Sequence, residues 1–145
     1  MIVTGSLFTI AGSQNSVIAF IVAADLSVIT GPITVAAHAS VFTNIAATSS
    51  KAIELANGDI ALGIYGVADA ADNPNTSAGM IFSADGGNTW GNFVIVARGS
   101  APAGTNLAYS EVNGAQLASG RIVLLIRRDD PSPRGYASNY TDDAT

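Results

Sequence analysis

Ser83-Ala84-Asp85-Gly86-Gly87-Asn88-Thr89-Trp90 is the stretch on which the fold turns. Its spaced positions read S-x-D-x-G-x-T-W. Glycine supplies the positive φ angles that a tight corner needs, and short Asp and Asn side chains bond back to nearby amides. The flanks are apolar and strand-like, Gly79-Met80-Ile81-Phe82 before and Asn92-Phe93-Val94-Ile95-Val96 after. That pattern predicts a β-hairpin turn. Trp90 is the only tryptophan in the chain. It is expected to pack back under the hairpin while Asp85 and Thr89 satisfy amides of the turn.

Outward from the octet, the chain repeats itself. Leu55-Ala56-Asn57-Gly58-Asp59-Ile60-Ala61-Leu62-Gly63-Ile64 aligns without gaps on Leu117-Ala118-Ser119-Gly120-Arg121-Ile122-Val123-Leu124-Leu125-Ile126, with six of ten positions identical at an offset of 62. Each copy reads as a strand end, an Asn-Gly or Ser-Gly turn and an alternating strand, which is a hairpin. Recurrence of one supersecondary unit points to a repeat architecture. The first copy leads through a polar loop, Asp69 to Ser77, into the octet. The second leads through Asp129-Asp130-Pro131-Ser132-Pro133 into Gly135-Tyr136-Ala137-Ser138-Asn139-Tyr140-Thr141-Asp142-Asp143, which looks like the start of a second, degenerate octet.

The octet resembles the Asp-box of sialidases and related β-propellers, with all five fixed positions present: Ser83, Asp85, Gly87, Thr89 and Trp90. The motif is specific for a fold and much less so for an activity. The resemblance implies an all-β chain, a partial sialidase-like β-propeller of four-stranded antiparallel blades joined by Asp-box turns. The order hairpin, loop, strand, box, strand fits one such blade. Residues 1–47 are then an incomplete or divergent blade, about 48–97 a full one, and about 98–145 a blade cut short. Sialidase-type propellers have six blades, so the expectation is a fragment of a longer protein, or a chain that self-associates through exposed blade edges.

Composition narrows the classes. The chain has 145 residues, enough for one ordinary domain, is 48% hydrophobic and 12% charged, and carries 15 glycines. That argues against disorder and for short strands joined by tight turns. The net charge is −5, with no basic stripe for a nucleic-acid backbone to follow. A local arginine cluster still suffices to hold an anionic substrate. Absence of cysteine excludes disulfides and thiolate metal sites. No basic residue precedes the apolar N-terminus, so no signal peptide is expected. The resemblance nonetheless favours a secreted or virion-associated parent. The longest strongly apolar run, Val17 to Ala24, is far short of the ~20 residues that span a bilayer.

In residues 1–47, Ser6-Leu7-Phe8-Thr9-Ile10 and Val17-Ile18-Ala19-Phe20-Ile21-Val22 read as strands, with a turn at 12–16 between them. Asp25-Leu26-Ser27 and Gly31-Pro32 bracket an expected loop, and Ile33-Thr34-Val35 opens a third strand. No stretch carries a helical apolar stripe.

The sharpest functional signal lies where the two repeats disagree. Extending the alignment outward, Ser49 faces Glu111 and Tyr65 faces Arg127. A carboxylate before the hairpin and a guanidinium at the end of its second strand can meet at one end of the unit. Tyr109-Ser110-Glu111 with Leu117, Gly120 and Arg127 is similar to the sialidase pattern E-x(5)-L-x-x-G-x(6)-R. The resemblance implies that Glu111 is the base polarising a catalytic tyrosine and Arg127 a clamp on the substrate carboxylate, with a sialylated glycan or other carbohydrate as partner. A phenol needs an adjacent base to become nucleophilic, and a planar guanidinium matches a carboxylate with two parallel hydrogen bonds. Sialidases use tyrosine where other glycosidases use a carboxylate nucleophile. Tyr65, at the position equivalent to Arg127, is expected to line the same pocket.

The same residues have a plainer reading, an exposed ion pair worth under ~1 kcal/mol with no chemistry attached. Arg128 falls on the opposite face of the strand, and Arg121 lies in the turn. Asp85 is expected to cap the turn. His38 stands without a second ligand at metal spacing, and Asp142-Asp143 lack a calcium loop, so neither metal nor cofactor is expected. A working sialidase also needs two further arginines, an aspartate acid/base and the nucleophilic tyrosine, which in the family come from other blades. The chain by itself is therefore expected to be inactive. The alternative is a propeller module that binds glycan or protein without cleaving it.

Overall fold

The computed structural model describes residues 1–8, 15–27, 29–37, 40–100, 107–129 and 135–141. Among them there is no α-helix, and the chain is built from antiparallel strands. Strands β1 (Ile2–Phe8), β2 (Asn15–Val22) and β3 (Ile29–Ala36) form a first sheet in that order. In the second, β4 (Asn44–Ala47) and β5 (Ile53–Glu54) both pair with β6 (Ile60–Val67), followed by β7 (Ser77–Ser83) and β8 (Gly91–Ala97). The third holds β9 (Tyr109–Gln116), β10 (Ile122–Arg128) and β11 (Gly135–Thr141). All paired strands in the three sheets run antiparallel.

One departure from the sequence reading is informative. Gly31-Pro32 does not bracket a loop but lies inside β3. Proline is tolerated there because β3 is an edge strand and the pair sits at a bulge, two residues opposing Phe20 between the Ala19–Ile33 and Ile21–Thr30 pairs. Gly31 has φ +138, and a Cβ on it would meet the Ala19 carbonyl and the Phe20 ring at 2.8 Å. The strand expected over 6–10 starts earlier, at Ile2. Its last two residues, His38 and Asp142-Asp143 lie outside the described residues.

The repeat is reproduced bond for bond. Leu55 N–H donates to Asp59 O (2.7 Å) and Gly58 N–H to Leu55 O (2.9 Å); 62 residues later Leu117 N–H donates to Arg121 O (2.8 Å) and Gly120 N–H to Leu117 O (2.9 Å). Gly58 and Gly120 share a φ of +90. This is the three-residue hairpin loop in which a left-handed residue, best a glycine, closes the turn. Pairing also equates the next strands: Ile60 opposes Ser83 in the second sheet as Ile122 opposes Thr141 in the third.

Two cores hold the sheets together. Val17, Ala19 and Val35 of the first sheet pack with Leu62, Ile64 and Ile81 of the second, joined by Phe42 and by partly buried Trp90 and Phe93. The Phe42 and Phe93 rings meet edge to face at 4.9 Å. On the other side of the second sheet, Ala61, Ala78 and Met80 pack with Val112, Ile122, Leu124 and Ile126 of the third. The middle sheet is thus buried on both faces, and its apolar run from Ile60 to Ile64 follows from that. The second and third sheets lie close together at Gly63, where a Cβ would be 2.5 Å from the Val112 carbonyl oxygen.

Candidate functional site

The two ends of the sheets differ in chemistry. At the hairpin end stands the Asp85 corner, a closed set of hydrogen bonds. Asp85 Oδ1 accepts from Thr89 N–H (2.8 Å) and Ser83 Oγ (2.9 Å), and Oδ2 accepts from Thr89 Oγ1 (2.7 Å). Ser83 Oγ in turn accepts from the buried Gly87 N–H (2.8 Å), and Trp90 Nε1 donates to Gly87 O (2.9 Å). Gly86 and Gly87 have φ +73 and +95, as the corner demands. The bonds from Thr89, and then that from Ser83, hold the Asp85 carboxyl at about 2. All of its chemistry is directed inward, to the turn, and the box is a structural corner.

Tyr65, Glu111 and Arg127 lie at the opposite end. Tyr65 opposes Ala78, five pairs along from the Ile60–Ser83 pair beside the corner, or about 17 Å at ~3.4 Å per residue. Thr76 locks the second sheet to the third at this end: Tyr109 N–H donates to Thr76 O and Thr76 Oγ1 donates to Tyr109 O, both at 2.8 Å. Arg127 Nη1 donates to Glu111 Oε1 at 2.9 Å, and Arg127 Nε to Asp129 Oδ1 at 2.7 Å. Ser110 Oγ donates to Asp129 Oδ2. The guanidinium is thereby fixed between two carboxylates.

A backbone irregularity lies at Glu111. On β10 only Ile126 separates Leu125 from Arg127, whereas their partners Asn113 and Ser110 on β9 are separated by both Glu111 and Val112. Glu111 takes the extra position with φ +44, a left-handed conformation uncommon for residues other than glycine. Such bulges turn a side chain away from its regular face.

Tyr65 follows Ala61 and Gly63 on the side of β6 that faces the third sheet. Burial first, and then the negative charges of Glu111 and Asp129, push its phenol above the ordinary value of 10.0, while Arg127 pulls it back. The phenol is therefore protonated at neutral pH and able to donate a hydrogen bond. The structure brings together Tyr65, Glu111 and Arg127, and adds Asp129. Sequence comparison passed over Asp129, although a signal was present: at the repeat offset it stands opposite apolar Val67. Arg128 is exposed, as is Arg121 in the turn. On the same end, Arg98 pairs with Asp72 (3.3 Å) and Asp69 (4.0 Å).

No group of three or more His, Asp or Glu side chains suited to a metal occurs among the described residues. No helix among them is long and apolar enough to cross a membrane. No protein-family model matches the chain, and a search of curated proteins gives no match.

Proposed function

We propose that this chain is part of a sialidase-like β-propeller acting on terminal sialic acids, with Glu111 and Arg127 on its active face and the Asp85 corner as blade architecture. The observation that carries the reading is the Arg127–Glu111 pair, formed at the end of the sheets opposite the box. In this role Arg127 binds the sugar carboxylate, and Glu111 accepts the proton of a nucleophilic tyrosine supplied from another blade. Asp129 positions Arg127, and Tyr65 lines the site as a neutral donor. The remaining arginines and the acid/base group belong to other blades, so the chain binds weakly and does not turn substrate over.

A second reading, a module that binds carbohydrate without cleaving it, is favoured by one observation. Arg127 is bracketed by two carboxylates, so this cluster carries a surplus negative charge. That disfavours an anionic ligand and suits a neutral polyol. One experiment separates the two: NMR titration of the chain with 3′-sialyllactose and with lactose, alongside a fluorogenic α-sialoside assay. The sialidase reading expects no turnover, with shifts at Tyr65, Glu111 and Arg127 caused by sialyllactose only and abolished in Arg127→Ala. Equal shifts with lactose favour the binding module. Clear turnover by the chain overturns its dependence on other blades, and no shift with either sugar overturns both readings.

A further inference from the structure

We propose that copies of this chain associate head to tail, the outward face of the β9–β10–β11 sheet in one copy covering the outward face of the β1–β2–β3 sheet in the next. The internal repeat supplies the template. Ala61 and Gly63 of β6 face the third sheet, Ala61 with no exposed surface and Gly63 in contact range of the Val112 backbone. Their equivalents 62 residues on are Val123 and Leu125. These are larger and apolar, yet 36% and 53% exposed.

A strand with one wet face alternates apolar and polar residues, whereas a strand covered on both faces is apolar throughout. Ile122-Val123-Leu124-Leu125-Ile126 is apolar throughout, and only its even-numbered residues are covered. Strand β2 carries the same signature at the other end of the stack. Val17 and Ala19 are buried against the second sheet, while Ile18 and Phe20 on the other face remain partly exposed. Each end sheet thus has a central strand composed for two neighbours and covered by one.

The occupant follows from continuity with the packing already present inside the chain. First sheet on second and second on third is one kind of contact, made twice. The same contact made a third time, from the third sheet of one copy to the first of another, covers both faces at once. Because the two faces differ, the contact is heterologous, and it does not pair like with like. Arg127 follows Val123 and Leu125 on the same side of β10, so the next copy lies beside the Arg127–Glu111 pair.

The test uses the intact chain. Sedimentation velocity across a wide concentration range is expected to give masses above the 14.6 kDa of one copy. Leu125→Asp is expected to abolish association while its far-UV circular dichroism stays unchanged. Because the chain has no cysteine, single variants Leu125→Cys and Ile18→Cys can be joined with a short bismaleimide. Head-to-tail packing requires a covalent dimer when the two variants are mixed and little from either by itself. A wild-type chain that stays at one-copy mass overturns the proposal. So does Leu125→Cys joining to itself as readily as to Ile18→Cys. Should Leu125→Asp fail to fold, the cysteine mixing experiment decides without it.

Discussion

Glu111 is the residue at which local backbone preference and side-chain placement are opposed. Its left-handed φ is one that glycine adopts freely and other residues adopt at a cost of about 1–2 kcal/mol. Its half-exposed ion pair returns only ~0–1 kcal/mol. The ion pair alone therefore does not repay a glutamate in this conformation. Leu26 and Asn92 share the left-handed region, so the conformation by itself does not mark Glu111 out. Glu111→Gly is expected to match or exceed the native chain in urea stability, and Glu111→Ala to fall below Glu111→Gly by about 1 kcal/mol. A glycine variant clearly weaker than the alanine variant would show that position 111 holds no left-handed strain for glycine to relieve. The approach of Glu111 to Arg127 was legible in the sequence because the two repeats differ there. The bulge was not, since no glycine marks it.

The Asp85 corner belongs to the scale of the element. Its turn residues made it legible, because each does one job that no other residue type does as well: glycine for φ, a short carboxylate for clustered donors. The Gly31-Pro32 pair was misread for the converse reason. Punctuation that ends a central strand is accommodated at an edge, and edge position is a property of the whole sheet. The corner has two testable consequences. Asp85 is held at about 2, below its ordinary 3.8. Its contribution is complete above the ordinary value and is lost as pH falls from there through about 2. Thermal melts from pH 5 down to pH 2 are expected to show Asp85→Asn converging on the native chain at the acid end. Ser83→Ala removes the acceptor of the buried Gly87 N–H and a donor to Asp85, and is expected to cost about 1–3 kcal/mol in urea unfolding. Parallel melts of Asp85→Asn and the native chain over the whole range would count against the corner's role.

At the scale of the molecule, three small sheets share two cores, and neither core belongs to one sheet. At Gly63 the second and third sit in close contact. Gly63→Ala forces apart two backbones rather than two side chains, and is expected to cost about 1–3 kcal/mol, more than a β-strand glycine normally returns when replaced. If Gly63→Ala proves neutral, the third sheet does not sit against the second as described. The repeat marked one hairpin in the second sheet and its counterpart in the third, whereas β4 (Asn44–Ala47) joins the second sheet although the sequence reading grouped residues 1–47 together. The mutual packing of the sheets was legible only as alternation, and the apolar surplus on β2 and β10 becomes meaningful once the covered and uncovered faces are known. The position of Trp90 has one practical corollary. The lone indole is anchored to Gly87 and packed toward the first sheet, at the far end from Arg127. Intrinsic fluorescence will therefore follow denaturation of that corner faithfully and stay silent when a sugar docks, so a flat emission titration says nothing about affinity.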